Sequence, residues 1–195
     1  MGRAVRGLRD RSHDHAYAAR LVGVPTERPD VFLLDAERPA AYCVVGRPNA
    51  IVVTTAAVQR LTESQLNAVL AHEDAHIAGR HHQVLMFLRA LAATLPRLPL
   101  FPRGAAAVGE LLEMCADDTA ARRHGGRALV AGMLELAGPV RPVGLAVGAT
   151  AIAVRAIRLL APAGRGTLQR HRLLAWATIA VTAGAPVVIN LLCHH

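Results

Sequence analysis

Residues 72–76 read His-Glu-Asp-Ala-His, and the four-residue step from His72 to His76 is where this chain's types and spacing could do chemistry. On a helix, positions four apart stand one turn above each other, so both imidazoles present to a common point. Neutral imidazole nitrogen suits Zn2+, a borderline-soft ion that binds it at roughly 2.0–2.1 Å. Glu73 points to a neighbouring position. From there a carboxylate reaches a water at the ion's open corner and takes its proton without ligating the ion. In a chain of this length an H-E-x-x-H string arises by chance on the order of a few per cent of the time, so a third ligand is needed to give the motif weight.

The segment "LLEMCADDTA" supplies one, because Glu113 and Asp117 also lie four apart. A carboxylate from a separate helix completes a His2Glu set and leaves the fourth position open. Asp117 then accepts the outer N–H of a ligand histidine and fixes its tautomer. Left unpaired inside so apolar a chain these groups would be costly; the alternative is a solvated acidic helix face. Farther along, His124 and one of Arg122 and Arg123 are candidates to stabilise an oxyanion, against the plainer reading of a basic cluster at a helix C-terminus. His81 and His82 lie beyond Gly79 and are read as surface or interhelix residues. Cys115 is read as packing, and Asp74 and Asp118 as solvated or locally paired.

These residues need helices to hold them. Thr62 with Gln65 three positions on forms a capping box, which starts a helix there; Leu66, Val69, Leu70 and Ile77 recur at helical spacing, and Gly79 stops it. Upstream, "VFLLD" (31–35), "AYCVV" (41–45) and "AIVVTT" (50–55) are strand-like, and "GRPN" between the last two suits a hairpin, so a small antiparallel sheet is expected before the His-rich helix. Downstream, residues 84–101 are apolar but interrupted by Arg89, Pro96, Arg97 and Pro99. They are a poor membrane span and a better surface-dipping segment. Helices follow over 105–126, 127–138 and 146–162, the last with Arg155 and Arg158 on one side. The expected class is α+β, mainly α.

Composition adds a setting. The chain has 195 residues, enough for one domain with its own core, and 53% are hydrophobic with only 3% aromatic. Residues 173–193, "LLAWATIAVTAGAPVVINLLC", hold no charge over a bilayer-spanning length. Arg165, Arg170 and Arg172 precede them, so the positive-inside rule puts the main body on the cytoplasmic side of a cell membrane. A buried core helix is the alternative. The net charge is +8, and no nucleic-acid-binding signature accompanies it, so a lipid bilayer is the expected partner and nucleic acid is not. Three scattered cysteines form neither a disulfide framework nor a C-x-x-C site. The expected organisation is a basic helical lead-in over 1–25, a catalytic domain over 26–162 and a transmembrane helix over 173–193.

Together, "LTESQLNAVLAHEDAHIAGRHH" and "ELLEMCADDTAARRHGG" resemble the BlaR/MecR-type bacterial membrane metallopeptidases and, more distantly, the HtpX-type and CAAX-prenyl-protease zinc peptidases. The resemblance spans about residues 30–160. It implies a zincin-like metallopeptidase fold and one zinc ion held by His72, His76 and Glu113, a gluzincin-like set. Glu73 is then the general base, and Asp117 the residue behind the ligands. It also implies that the strand edge at Ala41, Tyr42 and Cys43 receives an extended substrate by β-addition. Such proteins cleave other polypeptides at the cytoplasmic membrane face, sometimes a transcriptional repressor or a membrane protein. Two other classes stay open: a non-catalytic zinc-binding membrane regulator, and a basic peripheral binder of membrane or nucleic acid in which the His motif is accidental.

Overall fold

The segment Ala50–Thr54 is buried along its whole length, as the β-branched run from Ile51 to Thr54 requires of an interior strand. In the computed structural model, which describes residues 20–138 and 146–161, it is β4 of a four-stranded sheet with β1 (Val24–Pro25), β2 (Val31–Leu34) and β3 (Ala41–Val44). The strand order is β1-β2-β4-β3. β3 and β4 form the expected antiparallel hairpin, with Tyr42 opposite Val52. β4, however, runs parallel to β2, with Phe32 opposite Val52, so the sheet is mixed rather than antiparallel. The physical reason is that β4 must be covered on both edges. The hairpin slots it between β2 and β3, and β3 is left as an edge strand.

Among the described residues six helices follow: α1 (Thr55–Arg60), α2 (Glu63–Ala78), α3 (His81–Thr94), α4 (Leu100–His124), α5 (Gly126–Ala137) and α6 (Ala146–Leu160). The capping box of α2 is present, with Thr62 Oγ1 accepting from the Gln65 amide and Gln65 Oε1 accepting from the Thr62 amide. Gly79 ends the helix. α1 was hidden in the sequence because Thr54 and Thr55 prolong the β-branched run. In the fold, Thr54 instead caps α1 by accepting from the Ala57 amide. Residues 84–101 make up most of α3 and its turn into α4, which starts five residues earlier than expected.

Helix α2 is buried on two sides. Val69 and Leu70, with Leu61 just before the helix, pack with Val31, Cys43, Ile51 and Val53 of the sheet. On the other side Ala68 and Ala71 meet Ala120 of α4 and Leu129 of α5. Small residues at this second seam let the helix axes come close, and Gly132 of α5 lies against Val69 and Gln65 for the same reason. Among the described residues no helix is long and apolar enough to cross a membrane. The lead-in through residue 19 and the apolar segment 173–193 lie outside the described residues.

Candidate metal centre

The close seam between α2 and α4 brings the two i, i+4 pairs face to face. The Nε2 atoms of His72 and His76 are 3.0 Å apart. Glu113 of α4 sets Oε2 3.5 Å from His72 Nε2 and Oε1 3.5 Å from His76 Nε2. Asp117, one turn on and with no exposed surface, lies 3.2 Å from His72 Nδ1, slightly off the hydrogen-bonding direction of that nitrogen. Glu73 turns the other way, toward the sheet, where Oε2 accepts a 2.9 Å hydrogen bond from the backbone amide of Cys43. The carboxylate is thereby held between α2 and the edge strand β3. Ala41 and Tyr42 lie on the same strand, Tyr42 exposed.

Behind the acids stands a cation that local spacing did not mark as a site residue. Arg155 of α6 donates from Nε and Nη2 to the two oxygens of Asp117, at 2.7 and 2.6 Å, and its Nη1 is 3.1 Å from Glu113 Oε2. One turn along, Arg158 makes a similar fork on Asp118 and also reaches the Met114 carbonyl. The sequence did show both arginines on one side of a helix; what it could not show is that they meet carboxylates 38 and 40 residues away. His124 and Arg123, by contrast, are not brought to the site. They are exposed at the end of α4, and the eleven residues from Glu113 to His124 carry the helix about 16 Å onward. Of the two roles expected for His81, surface or interhelix, it has the interhelix one: it is buried, and its Nδ1 lies 2.9 Å from Nδ1 of His76. His82 Nδ1 is 4.0 Å from the Cys43 thiol. Asp74, read as a solvated or local residue, takes a two-pronged hydrogen bond from Arg28, tying α2 to the turn before β2.

The charges are arranged in opposition. Burial alone would lower His72, but Asp117 and Glu113 outweigh it and raise it to about 9. Burial and the neighbouring His72 charge press His76 down to about 4. Burial raises Glu73. Asp117 resists its own burial because Arg155 and His72 hold it at about 2, and Glu113 is likewise held below its usual range. Burial, with Glu73 nearby, pushes the Cys43 thiol far up, which makes it a packing group rather than a nucleophile.

His72, His76 and Glu113 each offer a ligand atom, and these atoms all lie within 4.8 Å of one another. Ligands about 2 Å from a tetrahedral ion stand roughly 3.4 Å apart, close to the 3.0 and 3.5 Å separations found here. Two imidazoles and one carboxylate are a donor set that zinc accepts, so the residues present fit that ion.

The chain is similar to known proteins over part of its length. Over 86 residues the chain is 34% identical to the plastoglobule-localized metallopeptidase 48 of Arabidopsis thaliana, covering 43% of this chain and 24% of that protein. Over 74 residues it is 39% identical to a protease HtpX homolog of Moorella thermoacetica, covering 36% of this chain and 25% of that one. The matched part thus spans about a quarter of the length of these relatives. No solved structure matches. The HtpX-type resemblance gains support from these matches; the BlaR/MecR-type one does not. The sequence profile of peptidase family M48 covers residues 9–134, well over half of the chain, and the chain belongs to that family.

Proposed function

We propose that the chain is a zinc-dependent endopeptidase in which His72, His76 and Glu113 hold the ion and Glu73 is the general base. The observation that carries this reading is the convergence of ligand atoms from α2 and α4, with Glu73, next in sequence to the ligand His72, held by the amide of Cys43 at the sheet edge. Membership of family M48, and relatives named as a protease and a metallopeptidase, support the same chemistry. When bound, zinc would polarise a scissile carbonyl and lower the pKa of water to roughly 7.

The chain's own groups do the rest. Glu73, raised by burial, accepts the proton of the attacking water and returns it to the leaving amine. Asp117, pinned by Arg155, orients His72 and keeps its Nε2 toward the ligand cluster. Edge strand β3 at Ala41 and Tyr42 is suited to pair with an extended peptide, which would run past Glu73, while the Cys43 amide on the same strand already donates to the Glu73 carboxylate. Glu73→Gln should abolish cleavage of a denatured, dye-labelled protein while zinc content stays at the wild-type level. Undiminished cleavage by that variant would refute the assignment, and zinc retained without cleavage even in wild type would favour a non-catalytic regulator.

The setting we propose is a membrane-anchored protease acting on a protein substrate at the cytoplasmic face, in regulatory proteolysis of a repressor or a membrane protein. Residues 173–193, uncharged and preceded by arginines, are the support for anchoring. Alkaline carbonate washing should leave the full chain in the membrane pellet. Its release to the supernatant would contradict anchoring.

A further inference from the structure

One buried histidine outside the ligand set touches it. His81, the first residue of α3, is 6% exposed, and its ring stands edge-on to that of His76 with centroids 4.9 Å apart. The backbone is shaped to bring it there. α2 ends at Ala78, Gly79 follows, Arg80 takes a left-handed conformation with φ 51°, and the chain re-enters a helix at His81. That conformation is disfavoured for any residue with a Cβ, so the turn is not a default path. Gly79 is also required for space, because a methyl group on it would overlap the His81 ring.

We propose that His81 is the positioning residue for His76, its Nδ1 accepting the N–H of His76 Nδ1 so that the lone pair of His76 Nε2 faces the ion. The inference rests on the zinc reading above. A neutral imidazole carries one N–H, and the nitrogen that ligates a metal must be the other one. His76 directs Nε2 at His72 and Glu113, so its proton belongs on Nδ1, and that buried N–H needs an acceptor. Among the described residues His81 is the group hydrogen-bonded to it, at 2.9 Å. The two ligand histidines are therefore oriented differently. His72 has a carboxylate fastened by Arg155 behind it, whereas His76 has a neutral ring held by the shape of the α2–α3 turn. Without the acceptor, His76 is free to adopt the opposite tautomer, whose Nε2–H would point where the ion must bind.

Two variants of the full chain, purified in detergent, separate this role from simple packing. His81→Asn keeps an acceptor, Oδ1, near the place of Nδ1; His81→Phe keeps the ring volume and removes it. Zinc affinity, by competition with a chromophoric chelator, should fall on the order of 10- to 100-fold in His81→Phe and recover to within a few-fold of wild type in His81→Asn. The visible spectrum of the Co2+-loaded protein should shift in His81→Phe only. Wild-type affinity and an unchanged Co2+ spectrum in His81→Phe would overturn the proposal, as would equal weakening by both variants. Failure of the wild type itself to bind zinc would overturn the metal centre, a result distinct from either.

Discussion

Asp117 has no exposed surface and yet carries a charge, which it can do only because the Arg155 guanidinium meets both of its oxygens. That pair makes a pH prediction with a definite sign. The folded Asp117 carboxyl is held at about 2, below its ordinary 3.8, so its contribution to stability is present above pH 3.8 and is lost as pH falls through about 2. The difference amounts to about 2 kcal/mol. The elevated His72 acts in the opposite sense and in a window above pH 6.5, so the two do not overlap. In urea unfolding of the metal-free chain, wild type should lose about 2 kcal/mol more than Asp117→Asn between pH 5 and pH 2. Equal losses would mean that Asp117 is not the charged partner of Arg155. The residue spacings H-E-x-x-H and E-x-x-x-D were legible because each pair lies within one helical turn. Arg155 and His81 were not. One meets Asp117 across 38 residues, and the other depends on a left-handed turn at Arg80 that no local pattern announces.

At the level of elements, the site is as exact as the approach of α2 to its neighbours. α2 is wedged between the sheet and the α4–α5 pair, and small residues set the second spacing. Gly132 tests this. A Cβ there would meet Val69 Cγ2 at 2.9 Å and the Gln65 carbonyl at 3.3 Å, and Val69 is a stiff β-branched residue in the core that cannot move aside freely. Overpacking of this kind costs about 1–3 kcal/mol, against a gain of up to about 1 kcal/mol from replacing a helical glycine. Gly132→Ala should therefore lower the Tm by a few degrees, whereas Gly104→Ala, with open space around its Cβ, should raise it. A rise in both would show that the α2–α5 seam is not tightly packed. The boundaries of α2 and α5 could be read from caps and period, since Thr62, Gln65, Gly79 and Gly125 act locally. The mixed sheet could not. A hairpin signal shows that β3 and β4 pair, but the partner on the other edge of β4 is chosen by burial of the whole strand.

For the molecule as a whole, the fold closes a loop between two ligand-bearing helices that the sequence keeps apart. His76 and Glu113 are separated by the whole of α3 and the first half of α4, and they meet because the α3–α4 hairpin returns the chain to α2. The same closure puts α6 behind the acids, so three segments contribute to one cluster of charges. An ion bridging α2 and α4 would therefore be a structural clamp as well as a reagent. The most direct measurement is zinc per chain, with its dissociation constant, for wild type, His72→Ala and Glu113→Ala purified in parallel. One tightly held zinc per wild-type chain, and at least a hundredfold weaker binding in both variants, is the predicted result. Full-strength binding by Glu113→Ala would show that α4 takes no part in holding the ion and would contradict the shared centre.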